Sequence, residues 1–425
     1  MAALNRAGLW RHGDFLRLWA GQTVSQFGEQ ITLIALPLTA VLVLHANAFA
    51  MGVLGAMSTL PFVLIGLFVG VFADRRRRRP LLIAADIGRA ALLALVPALA
   101  FTHLLTLPVL AAIAFAVGCL TVLFDVAYQS YLPALVGRPA LVDGNAKLET
   151  TRALSQVAGP SVGGVLVQML TAPLAVAANA LTYVVSVATL VAIGAREPEP
   201  QRPAGDARIW PMIREGLAWV LGQPMLRAIA GCTGTSNLFG NVANAVLVLF
   251  AVRQVGLTPA LLGLVYAGGS VGGVAGALVA QRVGRRLGTG PAILATAVVF
   301  SAFELVLPLT PDRPSVAVPL LVFAFGMRAM GSTAYNITQV SLRQAITPEG
   351  LLGRMNASMR FVVWGTMPFG SFVGGLLGAA IGLRPTLWVS ALGGLLAIAW
   401  IVASPLAQTR SVDTQDLAVA GPPSA

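Results

Sequence analysis

The stretch Gly70-Val71-Phe72-Ala73-Asp74-Arg75-Arg76-Arg77-Arg78-Arg79-Pro80 separates two long apolar runs. Its six consecutive charges, five of them arginines, are too costly to place in the hydrocarbon of a membrane. The pattern therefore predicts that the chain leaves a bilayer after Ala73, turns, and enters it again from Leu81. Short loops with several arginines stay on the cytoplasmic side, so this turn sets the topology of the remaining chain.

The composition of the whole chain is that of a membrane protein. Of the 425 residues, 57% are hydrophobic and 10% are charged, and the mean hydropathy is +0.81. A soluble core cannot bury that much apolar surface. A helix needs about 20 apolar residues to cross a bilayer, and the sequence contains about twelve such runs. We therefore expect an all-α polytopic membrane protein with the lipid bilayer as a partner.

Basic residues alternate from loop to loop along the chain. If the N-terminus lies in the cytoplasm, most of the 28 lysines and arginines fall on the inner side, including Arg343 and Arg360. This is the positive-inside pattern, and it predicts that both termini are cytoplasmic. The net charge of +12 thus indicates a membrane topology and no nucleic-acid partner.

The sixth predicted span is followed by the longest connection, which is polar and rich in proline. We therefore divide the chain into a six-helix bundle (1–194), a cytoplasmic linker with a short amphipathic helix (195–225), a second six-helix bundle (226–404) and a disordered cytoplasmic tail (405–425).

The two predicted bundles repeat each other. Phe27-Gly28 in the first span corresponds to Phe239-Gly240 in the seventh, and Asn145-Ala146 corresponds to Asn356-Ala357, at a spacing of about 210 residues. Such a repeat predicts duplicated, pseudo-symmetric units with a substrate site between them near the membrane midplane.

The arginine-rich turn resembles the loop signature of the major facilitator superfamily, G-x-x-x-D-R-x-G-R-R. Matching residues are Gly70, Asp74, Arg75, Arg78 and Arg79, whereas Arg77 replaces the second glycine. In the fifth span, Gly159, Pro160, Gly163 and Gly164 match the core G-P-x-x-G-G of the signature typical of the antiporters in this superfamily.

Two further motifs resemble the bacterial drug and siderophore efflux branch, which includes the enterobactin exporter and macrolide efflux proteins. These are Trp19-Ala20-Gly21-Gln22 and Gly144-Asn145-Ala146. The resemblance implies the major facilitator fold and a monomer in the bacterial inner membrane. It also implies a proton-coupled antiporter that exports small amphipathic compounds, such as drugs, siderophores or secondary metabolites, by rocker-switch alternating access. A solute importer of the same fold and a non-transporting membrane receptor or scaffold remain as alternatives.

Two polar stripes lie at matching places in the repeats. The first span carries Gln22, Gln26, Glu29 and Gln30, and the seventh carries Asn237, Asn241 and Asn244, at spacings that put each set on one helical face. We interpret them as opposed walls of a wet cavity. The alternative is that they form interhelical hydrogen bonds that hold the bundle together.

Glu29 is the only acid in these stripes. Because a buried carboxyl can exchange a proton near neutral pH in favourable surroundings, we expect Glu29 to couple proton entry to substrate exit or to bind a cationic substrate. The alternative is a carboxylate that is permanently hydrogen-bonded within the bundle.

Other intramembrane charges point to gating and recognition. Asp86 and Arg89 have the spacing of a helical ion pair. We expect an inner gating network composed of Asp74, Arg75, Arg79, Asp86, Arg89 and Asp125. Arg328 lies in the middle of the tenth span, where it either pairs with Glu304 or contacts an anionic substrate group.

Other functional classes lack their signatures. The single lysine, Lys147, follows Ala146, so the chain has no phosphate-binding loop of a primary pump. The sequence shows no catalytic triad and no metal-ligand cluster, and Cys119 and Cys232 lie within apolar runs. We therefore expect no enzyme activity, no metal and no cofactor, and a small molecule and protons as the transported partners.

Overall fold

The computed structural model describes residues 9–74, 76–137, 140–195, 197 and 209–409. Within them the chain is almost entirely helical. The α-helices are α1 (Gly13–Leu42), α2 (Ala48–Leu64), α3 (Gly66–Asp74), α4 (Arg78–Phe101), α5 (Leu107–Val136), α6 (Leu141–Met169), α7 (Ala172–Ala192), α8 (Ile209–Gly222), α9 (Pro224–Arg253), α10 (Pro259–Leu287), α11 (Thr289–Glu304), α12 (Val306–Leu309), α13 (Pro314–Ala345), α14 (Leu352–Ala380) and α15 (Leu383–Val402).

Nine of the helical segments in the described part of the chain are long and apolar enough to cross a membrane. Three more segments complete the twelve predicted spans: α1, α6, and α2 together with α3. Helices α1 and α6 carry several polar residues, which lowers their mean hydropathy. The second span is divided near Ile65 into a 17-residue and a 9-residue helix.

The residues between consecutive helices are suited to starting or ending a helix. The side chains of Asn47 and Thr258 accept hydrogen bonds from the first turns of α2 and α10. Gly288 and Gly382 have φ values of 87° and 90°, which favour glycine, and each precedes a new helix. These residues allow antiparallel neighbours to follow one another with connections of a few residues.

The helices pack within two halves and across a defined boundary. In the first half α1 packs on α6 and α7, and α4 packs on α5 and α7; in the second half α9 packs on α14 and α15, and α13 packs on α10 and α11. The halves meet where α2 packs on α14 and where α6 packs on α10. These helix pairs occupy equivalent places in the sequence repeat.

The arginine-rich turn lies at the end of the molecule that also holds the segment after α7. We call this the basic end. The Glu197 carboxylate accepts hydrogen bonds from the backbone N–H groups of Arg78 and Arg79, at 2.7 and 3.0 Å. Helix α4 has no capping side chain of its own, so Glu197 supplies the negative charge that its N-terminus favours.

Glycines bring the two halves together at the opposite end, which we call the far end. A Cβ atom added to Gly52 would lie 2.5 Å from the Cα of Gly375, and one added to Gly164 would lie 3.1 Å from the Cα of Gly263. Because only a hydrogen fits at these places, α2 contacts α14 and α6 contacts α10 at backbone distance. The far end is closed by these contacts.

The linker and the tail are described only in part. The predicted amphipathic helix is present as α8, whose Gly216 packs against the backbone of Arg354 in α14. Pro405–Gln408 form a 3₁₀ helix in which Leu406 is fully buried. The first residues of the segment expected to be a disordered tail are thus folded onto the second half, and residues 410–425 lie outside the described residues.

Candidate functional site

A cavity of about 820 Å³ lies between the two halves. Its lining runs from the middle of α1 to Glu149 and Gly353, near the starts of α6 and α14, so the cavity reaches the basic end. The whole predicted stripe of α1 contributes to this wall, namely Gln22, Gln26, Glu29 and Gln30. The structure therefore gathers these four side chains at one surface, as the helical spacing predicts.

A second cavity, of about 450 Å³, lies within the second half beside the first. The two cavities share Arg360 and Trp364 in their linings. Of the three asparagines predicted to face Glu29 from α9, only Asn237 lines a cavity. The Asn241 side chain donates to the carbonyl of Asn237, at 2.8 Å, and Asn244 lies in neither lining. The expectation of two opposed polar walls thus holds for α1 but not for most of α9.

Behind the first cavity lies a fully buried guanidinium, that of Arg89. Its Nη1 lies 3.3 Å from Oε1 of Glu29, and its Nη2 contacts the carboxylate of Asp86. The plane of Arg89 is held between the rings of Phe124 and Tyr183, each with its centroid 4.3 Å away. We call these five residues, together with Ser186, the Arg89 cluster.

The two acids of the Arg89 cluster differ in their access to water. The Asp86 side chain is fully buried and accepts a hydrogen bond from the Ser186 hydroxyl at 2.6 Å, whereas a third of the Glu29 side chain is exposed to the cavity. A buried arginine is tolerated only if its charge is paired and its N–H groups find acceptors. Asp86 pairs with Nη2 of Arg89 on the same helix, and Glu29 adds a second carboxylate that faces the cavity.

The second half also contains a buried acid, Glu304, in α11. Its Oε1 accepts a hydrogen bond from Ser390 at 3.0 Å, and its Oε2 lies 3.7 Å from Nε of Arg328. Of the two alternatives for Arg328, the structure thus shows the ion pair. Nevertheless 30% of the Arg328 side chain is exposed, and it lines the second cavity. We call Glu304, Arg328 and Ser390 the Arg328 cluster.

The structure separates Arg79 from the other described residues of the expected gating network. The Arg79 side chain donates to the carbonyls of Leu190 and Val191, at 2.9 and 2.7 Å, at the end of α7. Asp86 and Arg89 instead join Glu29, and Asp125, in the first cavity, lies near enough to Arg89 to interact with its charge. Arg75 and the side chain of Asp74 lie outside the described residues. Arg79 lies apart because it is near the start of α4, whereas Arg89 is three turns further along it.

The antiporter-like signature of α6 packs directly against the polar stripe of α1. A Cβ atom added to Gly159 would lie 2.4 Å from the Cβ of Gln30, and one added to Gly163 would lie 3.0 Å from the Cα of Ile31. On the other side of α6, the carbonyl of Pro160 lies 2.5 Å from the place where a Cβ of Gly263 would be, and Gly164 contacts the same turn of α10. The signature thus links the cavity wall to the boundary between the halves.

Sequence reasoning missed two arginines of the second cavity. Both were expected at the inner side, Arg343 after the tenth predicted span and Arg360 at the start of the eleventh, but Arg343 and Arg360 lie within α13 and α14 and line the cavity. A signal existed: the polar residues of α13 recur at helical spacing, namely Arg328, Ser332, Asn336, Gln339 and Arg343. No sequence signal identified the packing of Arg89 between Phe124 and Tyr183. Among the described residues, no group of His, Cys, Asp or Glu side chains could hold a metal.

Comparison with known proteins identifies a family. The family described as transmembrane secretion effector matches residues 7–424. The chain is 27% identical to the multidrug efflux pump Tap of Mycolicibacterium fortuitum over 420 residues, covering 95% of this chain and 98% of that protein. It is also 27% identical to the enterobactin exporter EntS of Citrobacter koseri over 364 residues, covering 83% and 82%.

Solved structures share the fold. The nucleoside transporter NupG aligns with a TM-score of 0.71 at 11% identity, covering 92% of this chain and 98% of that one. A bacterial homologue of the lysosomal transporter Spinster aligns with a TM-score of 0.69 at 12% identity, covering 94% and 98%. These proteins are transporters, in agreement with the expectation that the chain is not an enzyme. The chain belongs to the transmembrane secretion effector family, within the major facilitator superfamily of membrane transporters.

Proposed function

We propose that this protein is a proton-driven antiporter that exports small amphipathic compounds across the bacterial inner membrane. In this proposal residues 1–194 and 226–404 are the two moving halves of a monomer, and the basic end and both termini face the cytoplasm. The support for this orientation is the concentration of arginines at the basic end, since short loops rich in Arg and Lys remain cytoplasmic.

The observation that carries the proposal is the contact between Glu29 and the buried Arg89. A proton on Glu29 removes one of the two carboxylates that face Arg89. Asp86 remains in place with its own hydrogen bond from Ser186, so the arginine is not left with an unpaired buried charge. Glu29 can therefore gain and lose a proton from the cavity without breaking the cluster that supports it.

The same carboxylate lies where a substrate would bind. The first cavity has the size of known small-molecule sites, which are about 300–1,000 Å³. Apolar and aromatic side chains, such as Val122, Phe361 and Trp364, lie in the lining with Glu29 and the α1 glutamines. Proton and substrate thus share one space, which provides a physical basis for exchange of one against the other.

Alternating access requires that the far end opens and the basic end closes. The glycine contacts at the far end join α2 to α14 and α6 to α10 at backbone distance, with one aromatic pair, Phe49 and Phe372, beside them. Surfaces made of small residues can separate and meet again at low cost compared with interlocked large side chains. The boundary between the halves is therefore suited to a rocking motion.

The test is dye retention in bacteria that lack their own efflux pumps, with and without a proton uncoupler. We expect the wild-type protein to lower dye retention, and we expect this effect to vanish with the uncoupler and in the Glu29→Gln variant. Glu215→Gln is the control, because Glu215 is an exposed acid that pairs with Arg354 and lines neither cavity; it should export like the wild type.

Uncoupler-sensitive export by Glu29→Gln at the wild-type rate would refute the role of Glu29. Increased accumulation of the dye would instead indicate import.

A further inference from the structure

The two cavities differ in charge. The first is lined by the acids Glu29, Asp125 and Glu149 and by Arg152 and Arg360. Glu29 faces Arg89 and Glu149 pairs with Arg152, so the charges around this cavity largely cancel. The second is lined by one acid, Glu304, and by three arginines, Arg328, Arg343 and Arg360, so it is the more positive of the two.

The acid of the second cavity does not neutralise its arginines. Glu304 already accepts a hydrogen bond from Ser390. Its distance of 3.7 Å to Nε of Arg328 is an ion-pair distance but exceeds that of a hydrogen bond. Arg328 Nη2 lies 3.4 Å from the place where a Cβ of Gly240 would be, so the guanidinium rests over a glycine with its remaining N–H groups available.

The other two arginines form no ion pair with a carboxylate among the described residues, although Asp125 lies near enough to Arg360 to interact with its charge. Arg343 donates to the side-chain oxygens of Gln339 and Asn356, at 3.2 and 2.8 Å, so both of its terminal nitrogens already have acceptors. Arg360 is exposed in the cavity, with its guanidinium 5.5 Å from the ring centroid of Trp364. An exposed guanidinium such as that of Arg360 binds carboxylates and similar oxyanions with two parallel hydrogen bonds.

Aromatic side chains lie beside these arginines. Trp364 lines both cavities, and its ring packs edge to face with that of Phe62 at 5.5 Å between centroids. Phe62 comes from α2 in the first half and Trp364 from α14 in the second. An aromatic ligand body placed here would contact both halves at once.

We infer that the second cavity binds an anionic group of the substrate, a carboxylate or similar oxyanion, through Arg328 and Arg360, while the aromatic body of the substrate lies against Trp364 and Phe62. Arg343 lies 15 residues beyond Arg328 on α13, about 22 Å along the helix axis, and adds positive charge without contacting the same group. The preferred substrates are then aromatic organic acids, or zwitterions whose cationic group reaches the acids of the first cavity. This inference rests on the proposed function, because it assigns the substrate class of the same transport site.

The test is equilibrium binding of two fluorescent probes that differ only in charge: 4-(1-pyrenyl)butanoic acid and its primary amide. Fluorescence anisotropy with the purified full-length protein in detergent measures both affinities without a proton gradient. We expect the acid to bind about tenfold more tightly than the amide, as expected for one charge-assisted hydrogen-bonded pair.

Variants show which arginines are responsible. Arg328→Gln and Arg360→Gln should each reduce the preference for the acid at least threefold while the amide keeps its affinity. Arg285→Gln is the control, because Arg285 is an exposed arginine in the last turn of α10 and lines neither cavity; it should change neither affinity.

Three results would overturn the inference. The first is that the acid binds no more tightly than the amide, or that neither probe binds. The second is that a cationic analogue binds more tightly than the acid, and the third is that the arginine variants weaken the binding of acid and amide equally. The proposed function is tested by a different measurement, the uncoupler-sensitive export of dye from cells. Equilibrium binding is measured without a proton gradient, so failure of one test can be told apart from failure of the other.

Discussion

Each half of this transporter holds an arginine beside an acid and a serine, but the two clusters are built differently. In the first half, Arg89 is fully buried between two acids and two aromatic rings. In the second half, Arg328 faces one acid and is 30% exposed to a cavity. In both, a serine of the last helix of the half donates to the buried acid, Ser186 to Asp86 and Ser390 to Glu304.

The difference shows how a duplicated fold can divide its tasks. A guanidinium enclosed on all sides cannot bind a ligand, but it can hold the carboxylate of Glu29 in place at the cavity wall. A guanidinium with free N–H groups in a cavity can bind a ligand anion. The shared acid–serine contact supports both arrangements, and the surroundings of each arginine decide what it can do.

The largest expected effect comes from removing the enclosed arginine. Arg89→Met leaves the fully buried Asp86 without its cation, and such a loss destabilises a folded protein by about 3–5 kcal/mol. Arg328→Met should cost less, about 1–3 kcal/mol, because the buried Glu304 keeps its contact with Ser390 and the lost contact is long, at 3.7 Å. Thermal unfolding of the purified proteins in detergent, followed by tryptophan fluorescence, measures both. Equal losses of stability would contradict the distinction between the clusters.

A smaller effect is expected at the repeated Phe-Gly pair. A Cβ atom at Gly28 would lie 2.1 Å from the side-chain oxygen of Asn179 and 2.2 Å from that of Thr182, whereas one at Gly240 would approach only Arg328, at 3.4 Å. Gly28→Ala should therefore destabilise the protein by about 1–3 kcal/mol through overpacking. Gly240→Ala should leave stability within about 0.5 kcal/mol. The same unfolding measurement compares them, and a reversed order would show that the equivalent helices pack differently from the structure.

The smallest effect is expected in the asparagine stripe of α9. Asn241 bonds to the backbone of its own helix and lines neither cavity. Asn241→Ala should therefore leave the affinity for the pyrenyl acid unchanged. Asn237 lines the second cavity through a side chain whose nitrogen donates to the carbonyl of Val363, at 3.2 Å, which leaves its oxygen as the polar group for a ligand. Asn237→Ala should lower that affinity about two- to threefold, since a net hydrogen bond contributes about 0.5–1.5 kcal/mol. Equal effects of the two substitutions in anisotropy titrations would place Asn241 at the cavity after all.

The fold could be predicted because it depends on local features of the chain. The arginine-rich turn, the apolar runs and the Phe-Gly repeat are each readable within a few residues, and together they indicate the fold class that the structure and the family confirm. The stripe of α1 was predictable for the same reason, because helical spacing alone places Gln22, Gln26 and Glu29 on one face.

The contacts of the site depend on tertiary packing and could not be predicted in this way. Glu29 and Arg89 are far apart in sequence and meet only because α1 and α4 both pack on α7. Arg343 and Arg360 were counted with the charges of the inner side, because Arg343 follows the tenth predicted span and Arg360 stands at the start of the eleventh. In the structure, helices continue through these positions to Ala345 and from Leu352, where the polar side chains face a cavity rather than lipid.

The Arg89 cluster has a consequence for the insertion of the growing chain into the membrane. Asp86 and Arg89 lie one turn apart on α4, so this helix enters the bilayer with its two charges already paired within one segment. Glu304 and Arg328 lie on different helices and can pair only after α13 has been synthesised. The ion pair of α4 can therefore form early during synthesis. Glu304 in α11, in contrast, has no contact with Arg328 until α13 has entered the membrane.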